Sequence, residues 1–454
     1  MKKLSLSALA AVGVLAGVTG ANAADLGGNC CADLEERIAE LEATAVRKGN
    51  RKVSLTISGW VSQQVSMWDD GTERNTYVSD IGVTLNSNFK LSGSAKISPD
   101  LSAGYLLHIE AESNSSIAYS ADTSATPKSV SVLQSFWFLK SESLGKLSVG
   151  LQSSAADNAA LLPDGSGSLI VANYIMYDIG GFTARLRGVK NTGQPTFGSF
   201  AACGISNGAS LGMDCDGVPN NNVRYDTPTF AGFSASASWG EDDIWAVSGR
   251  YAGEFSGFKL AAAVGYVDST DDNNLGTVTT PNAFNIASKA RGGLKASALQ
   301  AGAYIQHVPT GLFVYGAYGK DYNDTTGFRF GGNGITTGQQ QIDGSNYYIK
   351  AGIRQKWFPL GASVLYGEYG VNDDKMTNAM WAAGVSSTQL TQYGVGFVQE
   401  IDAAAMSLFL NYRHYSTEAT CRAGFAGCAG GNSVVGKNSF DDAQLVKAGA
   451  IINF

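Results

Sequence analysis

From Lys52 the chain reads KVSLTISGWVSQQVSMW, and its apolar and polar side chains alternate. Val53, Leu55, Ile57, Gly59, Val61, Val65 and Met67 fall on one parity, with Ser54, Thr56, Ser58, Ser62, Gln64 and Ser66 on the other. Period-two alternation is the mark of a β-strand with one apolar and one polar face. The run is far longer than the ~5–6 residues of a mean soluble strand. A tilted membrane strand needs ~9–11 residues within the bilayer plus some overhang. The pattern recurs along the chain. Phe89, Leu91, Gly93, Ala95 and Ile97 alternate with Lys90, Ser92, Ser94 and Lys96, and Ala103, Tyr105, Leu107, Ile109 and Ala111 with Gly104, His108, Glu110 and Glu112. Phe258, Leu260, Ala262, Val264 and Tyr266 continue it, as do Met406, Leu408, Leu410 and Tyr412.

Proline and glycine punctuate these runs. Tight connections are expected at Ser98-Pro99-Asp100, Ser143-Leu144-Gly145, Pro228 to Gly232, Glu254 to Gly257, Pro309-Thr310-Gly311, Pro359-Leu360-Gly361 and Asp402-Ala403-Ala404. Longer polar segments lie near 69–79, 113–129, 152–220, 240–243, 268–284, 320–345, 370–389 and 416–440. Seven turns and eight loops join sixteen strands with both chain ends on the turn side, or eighteen strands if residues 168–190 form a hairpin of their own. An even strand count with short turns on one side and long loops on the other describes an antiparallel transmembrane β-barrel.

The amino terminus is consistent with that reading. Met1-Lys2-Lys3, an apolar stretch from Leu4 to Val18 and the small residues Ala21 and Ala23 have the layout of a signal peptide spanning 1–23. No later segment holds fifteen consecutive apolar residues, so a spanning chain has only the closed barrel as a solution. Composition agrees: 56 glycines, 10% aromatics and only 16% charged residues, where ~25% is usual in soluble domains. A net charge of -7 speaks against a nucleic-acid partner, which wants a clustered basic excess.

The segments FKLSGSAKISPDLSAGY, LGKLSVGLQSSAADNA, NVRYDTPTFAGFSASASW and the terminal AGAIINF resemble those of trimeric general outer-membrane porins of Gram-negative bacteria, in particular the alphaproteobacterial porin family. The resemblance covers about residues 52–454. It implies a sixteen-strand barrel, a homotrimer in outer-membrane lipid, and a third loop folded into the lumen as a constriction. That loop would start after Gly150-Leu151-Gln152 and run over about 152–220. A terminal Phe454 closing an amphipathic strand resembles the signal read by outer-membrane assembly machinery.

Four sets of residues carry the remaining expectations. Residues 24–51 contain Leu34, Ile38, Leu41 and Ala45, spaced as a coiled-coil seam. They read as a periplasmic helix that forms a three-helix stalk or lies against the barrel rim. Cys203 and Cys215 share one loop and Cys421 and Cys428 another, so loop-local disulfides are the simplest pairing. Metal binding is the alternative, with the histidines far away in sequence. On the wall, parity places Lys96, Glu110, Arg224, Arg250, Lys259, Lys350, Arg354, Arg413 and Lys447 on the lumen side. Asp157, Asp164 and Asp178 fall in the constriction loop and are expected to face those cations across an open eyelet.

The function these features suggest is passive diffusion of ions and small hydrophilic solutes, without a cofactor. A substrate-specific channel is an alternative, given loop aromatics such as Tyr174, Tyr177 and Phe182. An outer-membrane enzyme is a weaker one. The G-x-S-x-G matches around Ser206 and Ser210 overlap in a glycine-rich loop, without the strand-to-helix turn a nucleophile elbow needs.

Overall fold

The computed structural model describes residues 53–82, 85–174, 178–187, 195–203, 214–215, 219–240, 244–269, 295–324, 342–377, 380–381, 383–429 and 433–454. The expected signal segment 1–23 and the helix of 24–51, with Leu34, Ile38, Leu41 and Ala45, lie outside the described residues, as do Tyr177, Ser206 and Ser210.

The described residues form eighteen antiparallel strand segments in one sheet. They are β1 (Thr56–Asp69), β2 (Arg74–Ser79), β3 (Ser87–Lys96), β4 (Leu101–Glu112), β5 (Ser129–Ser141), β6 (Gly145–Gln152), β7 (Asn220–Asp226), β8 (Phe233–Gly240) and β9 (Ile244–Phe255). The second half comprises β10 (Phe258–Ser269), β11 (Lys295–His307), β12 (Leu312–Asp324), β13 (Gly344–Phe358), β14 (Gly361–Asp373), β15 (Val385–Ile401), β16 (Met406–Cys421), β17 (Gly436–Ser439) and β18 (Ala443–Asn453).

Two of these segments continue a neighbouring strand. β1 pairs through its upper half with β2 and through its lower half with β3. In the same way β16 pairs with β17 near its end and with β18 below. The barrel therefore has sixteen staves. Closure comes from β1 against β18, with Trp60 opposite Asn453 and Asp69 opposite Gln444. Every stave then has a partner on both sides, leaving no edge of unpaired backbone groups.

The seven short turns fall at the expected places, six of them marked by proline or glycine and the seventh, Asp402–Ala404, a 3-10 turn without either. Ser256 and Gly257 both take positive φ, at 49° and 81°, which gives a two-residue hairpin its required hand. Two expectations about loops need correction. Residues 74–79, read as part of a loop, form a strand, and the excursion that follows is 80–86. Residues 168–190 do not form a hairpin among the described residues, because their side chains pack inward instead of alternating.

The outer wall is apolar. Ile57, Val61, Val65 and Met67 stand exposed in one row of β1, while Ser62, Gln64 and Ser66 of the other parity are buried inside. Aromatic side chains ring both rims of the wall. Phe230, Phe233, Phe255 and Trp357 lie toward the turns, and Trp239, Tyr347, Tyr369 and Tyr393 toward the loops. Such girdles sit at the two membrane interfaces.

Candidate functional site

The interior is shaped by the connection between β6 and β7, whose described residues 153–174 and 178–187 turn into the barrel. Its entry is held by the wall. The guanidinium of Arg224 donates to the carbonyl oxygens of Ser153 and Ser154 at 3.2 and 2.9 Å. Arg250 donates to that of Ala155 at 3.3 Å. Next, Gln300 of β11 donates to the Ala156 carbonyl at 2.8 Å and accepts from the Ala160 amide at 3.0 Å. The Tyr315 hydroxyl donates to the Ala160 carbonyl at 2.7 Å. Here the loop lies directly on the wall, which requires glycine. A Cβ on Gly302 would stand 2.0 Å from the Ala160 carbonyl oxygen, and one on Gly265 would stand 2.8 Å from Ala159 Cβ.

Further along, carboxylates of the loop meet cations of the wall. Lys350 Nζ lies 2.5 Å from Asp164 Oδ2 and also donates to the Ala172 carbonyl. Arg354 donates to the Ser166 carbonyl and pairs with Glu400 at 2.8 Å. Asp178 takes Arg413 Nη1 at 2.7 Å, Lys447 Nζ at 2.8 Å and the Tyr415 hydroxyl at 3.1 Å. Arg413 is shared with Glu368 at 2.8 Å. Burial pushes the Asp178 carboxyl up, and Lys447 and Arg413 outweigh it, holding that group below the usual aspartate range.

These pairs correct the picture of charges facing each other across an open eyelet. The side chains of Asp164, Asp178, Lys350, Arg413 and Lys447 are 0–2% exposed and in direct contact, so this part of the loop is clamped to β13, β16 and β18. The remaining expected wall charges are arranged otherwise. Lys96 and Lys259 are exposed near the turn ends, and Glu110 is buried beside the β3 residues Asn88 and Lys90. Asp157 is buried at the start of the loop and accepts from the Asn158 side chain.

A second segment also turns inward, and the sequence reading missed it. In the excursion 80–86, the Leu85 carbonyl accepts from Trp60 Nε1 and Ser62 Oγ of β1 at 3.3 and 2.8 Å. Ile81 packs in one cluster with Leu161, Val171 and Tyr174 of the long loop. Glu368 was missed too, although its parity on β14 places it with Tyr366 on the inner face.

Toward the loop side, the later part of the long loop joins the outer loops. Arg185 Nε pairs with Asp70 at 2.9 Å, and Phe197 and Phe200 of a short 3-10 turn meet Tyr415 and Phe440 edge to face. Cys203 is bonded to Cys215 and Cys421 to Cys428, as the loop-local pairing expects. The first disulfide lies under Lys375, whose Nζ is 3.4 Å from both sulfurs and pairs with Asp321 at 2.6 Å.

A closed barrel with an apolar outer wall, aromatic rims and a loop folded into a polar interior defines a transmembrane channel. A match to the Gram-negative porin family covers residues 7–420. The chain belongs to that family. Its function is that of an outer-membrane channel for passive diffusion of small solutes.

Similar solved structures include the outer membrane channel DcaP of Acinetobacter baumannii, at 11% identity over 90% of this chain and 100% of that one, with TM-score 0.48. Another is Salmonella typhi OmpF in complex with daunomycin, at 13% identity over 90% and 99%, with TM-score 0.47. OprB of Pseudomonas putida matches at 11% identity over 93% and 97%, with TM-score 0.49. Among curated proteins no relative matches this sequence.

Proposed function

We propose that this chain is a diffusion porin that works as a homotrimer in outer-membrane lipid, with residues 153–174 and 178–187 setting the bore. The observation that carries this reading is the clamp of Asp164 and Asp178 onto Lys350, Arg413 and Lys447, which fixes a long loop inside a closed barrel. Such a loop narrows the lumen without plugging it from outside. Passage then depends on solute size and charge. Catalysis has no part in this reading, since a channel needs only the shape and lining of its lumen.

Proteoliposomes carrying the purified protein are expected to swell in small sugars and progressively less in larger ones. Liposomes that fail to swell with the smallest sugar would contradict the reading. For the trimer, the oligomer in mild detergent should have three times the chain's mass and fall to monomer on heating. A monomer throughout would remove it.

Residues 24–51 fit a three-helix stalk on the periplasmic side once three barrels hold their amino termini together, because two heptads alone are too short to associate. A chain starting at Lys52 is expected to give trimers that dissociate at lower temperature. Equal heat resistance would reject the stalk.

A further inference from the structure

The clamp leaves one side of the interior sealed and the other open. On β13, β16 and β18 the inner-face cations lie beneath the loop, and Tyr304, Tyr315, Tyr366, Phe409 and Ile451 form an apolar core with it. On β4 to β9 the inner face is buried toward the loops, where the loop entry packs on it, and keeps partial exposure toward the turns. The lumenal side chains there are Leu106, Phe136, Phe138, Lys146, Arg224 and Arg250. Parity confirms the orientation, since Trp137 and Leu139 between and beyond the phenylalanines stand exposed on the outer wall.

We infer that solutes pass along this β4–β9 side, and that the passage favours organic anions with an apolar or aromatic body. This deepens the porin reading and rests on it. Register brings the two chemistries side by side. Phe138 pairs with Ser148, which pairs with Arg224, and Phe136 pairs with Gly150. Lys146 Nζ lies 6.0 Å from the centroids of both Phe136 and Phe138. Gly104 makes room for the second ring, because a Cβ there would stand 2.3 Å from Phe138 Cζ.

Charge completes the argument. The cations are Lys146, Arg224 and Arg250, and the carboxylates near them are Asp226 and Asp157. Asp226 is held by both Arg224 at 2.7 Å and Lys146 at 3.4 Å, so one carboxylate serves two cations. The Lys146 side chain is 34% exposed and that of Arg224 14%. A carboxylate passing this row meets the partly exposed Lys146 ammonium and three cations against two carboxylates, while its apolar body slides over two aromatic faces and Leu106. Water-seeking polyols gain nothing from those faces. Along the loop, Leu162, Leu169 and Ile170 are also partly exposed, and the carboxylates of Asp157, Asp164 and Asp178 are buried.

The test is relative permeability from reversal potentials in planar bilayers, comparing potassium benzoate with potassium gluconate at neutral pH. Both are monovalent carboxylates and benzoate is the apolar one. The intact channel should pass benzoate about two- to fivefold better than gluconate, with anions carrying more current than potassium. Phe136→Ser with Phe138→Ser should bring that ratio toward one, and Lys146→Gln with Arg250→Gln should shift selectivity toward potassium. A conducting wild-type channel that passes gluconate as well as benzoate, or that prefers potassium in both salts, overturns the inference and leaves the porin reading standing. A folded protein with no conductance in any salt overturns both.

Discussion

Asp178 shows what a single residue does here. It accepts from Arg413, Lys447 and Tyr415, which come from two staves more than 200 positions away in sequence. Removing one partner of a buried pair costs about 3–5 kcal/mol, because the cations left behind have no water to turn to. Asp178→Asn is therefore expected to lower the thermal midpoint of the folded barrel and to add flicker to single-channel currents. A variant that matches the wild type in both would show that the clamp is dispensable.

The pH dependence has a definite sign. The folded value of Asp178 is depressed, so its contribution is complete above the ordinary aspartate value of ~3.9 and is lost as pH falls through the lower folded value. Currents recorded from pH 8 to pH 5 should show no loop flicker from this source, which should begin only in stronger acid. Flicker that sets in near pH 6 would assign the titration to another group.

At the scale of elements, the staves were legible because alternation and turn chemistry are local. Val53 to Met67 announce one apolar face, and Ser256-Gly257 announces a hairpin, with no knowledge of the rest of the chain. The short pieces β2 and β17 were not legible. Six and four mostly polar residues carry little period, and they become strands only because β1 and β16 offer a ladder. The path of the long loop was hidden for the same reason. Asp164 meets Lys350 and Asp178 meets Lys447 across 186 and 269 positions, and parity tells which wall charges face inward but not which lie covered.

Glycine at the contact between loop and wall gives a direct test at this scale. Gly302→Leu should push residues 156–161 off β11 and change conductance, while an outward-facing substitution at Gly249, where a Cβ meets nothing within 4 Å, should not. Equal conductance in Gly302→Leu and wild type would mean that the loop does not bound the passage. The closing stave has its own test. Gly59 and Phe454 exchange backbone hydrogen bonds at 2.9 and 3.1 Å, so deleting Phe454 should reduce the fraction of chains assembled as heat-modifiable barrels. Undiminished assembly would take that role from the terminal residue.

For the whole molecule, the sheet closes, its outer face is apolar between two aromatic rims, and its interior holds a loop that ion pairs and glycine contacts keep in place. These features belong together. An open sheet would leave backbone groups unpaired in hydrocarbon, and an empty sixteen-stave lumen would select poorly by size or charge. The most direct measurement is single-channel recording of the purified protein in planar bilayers bathed in potassium chloride. The account predicts discrete, reproducible conductance steps from protein that is β-rich and heat-modifiable, and the same folded material giving no steps at all would contradict it.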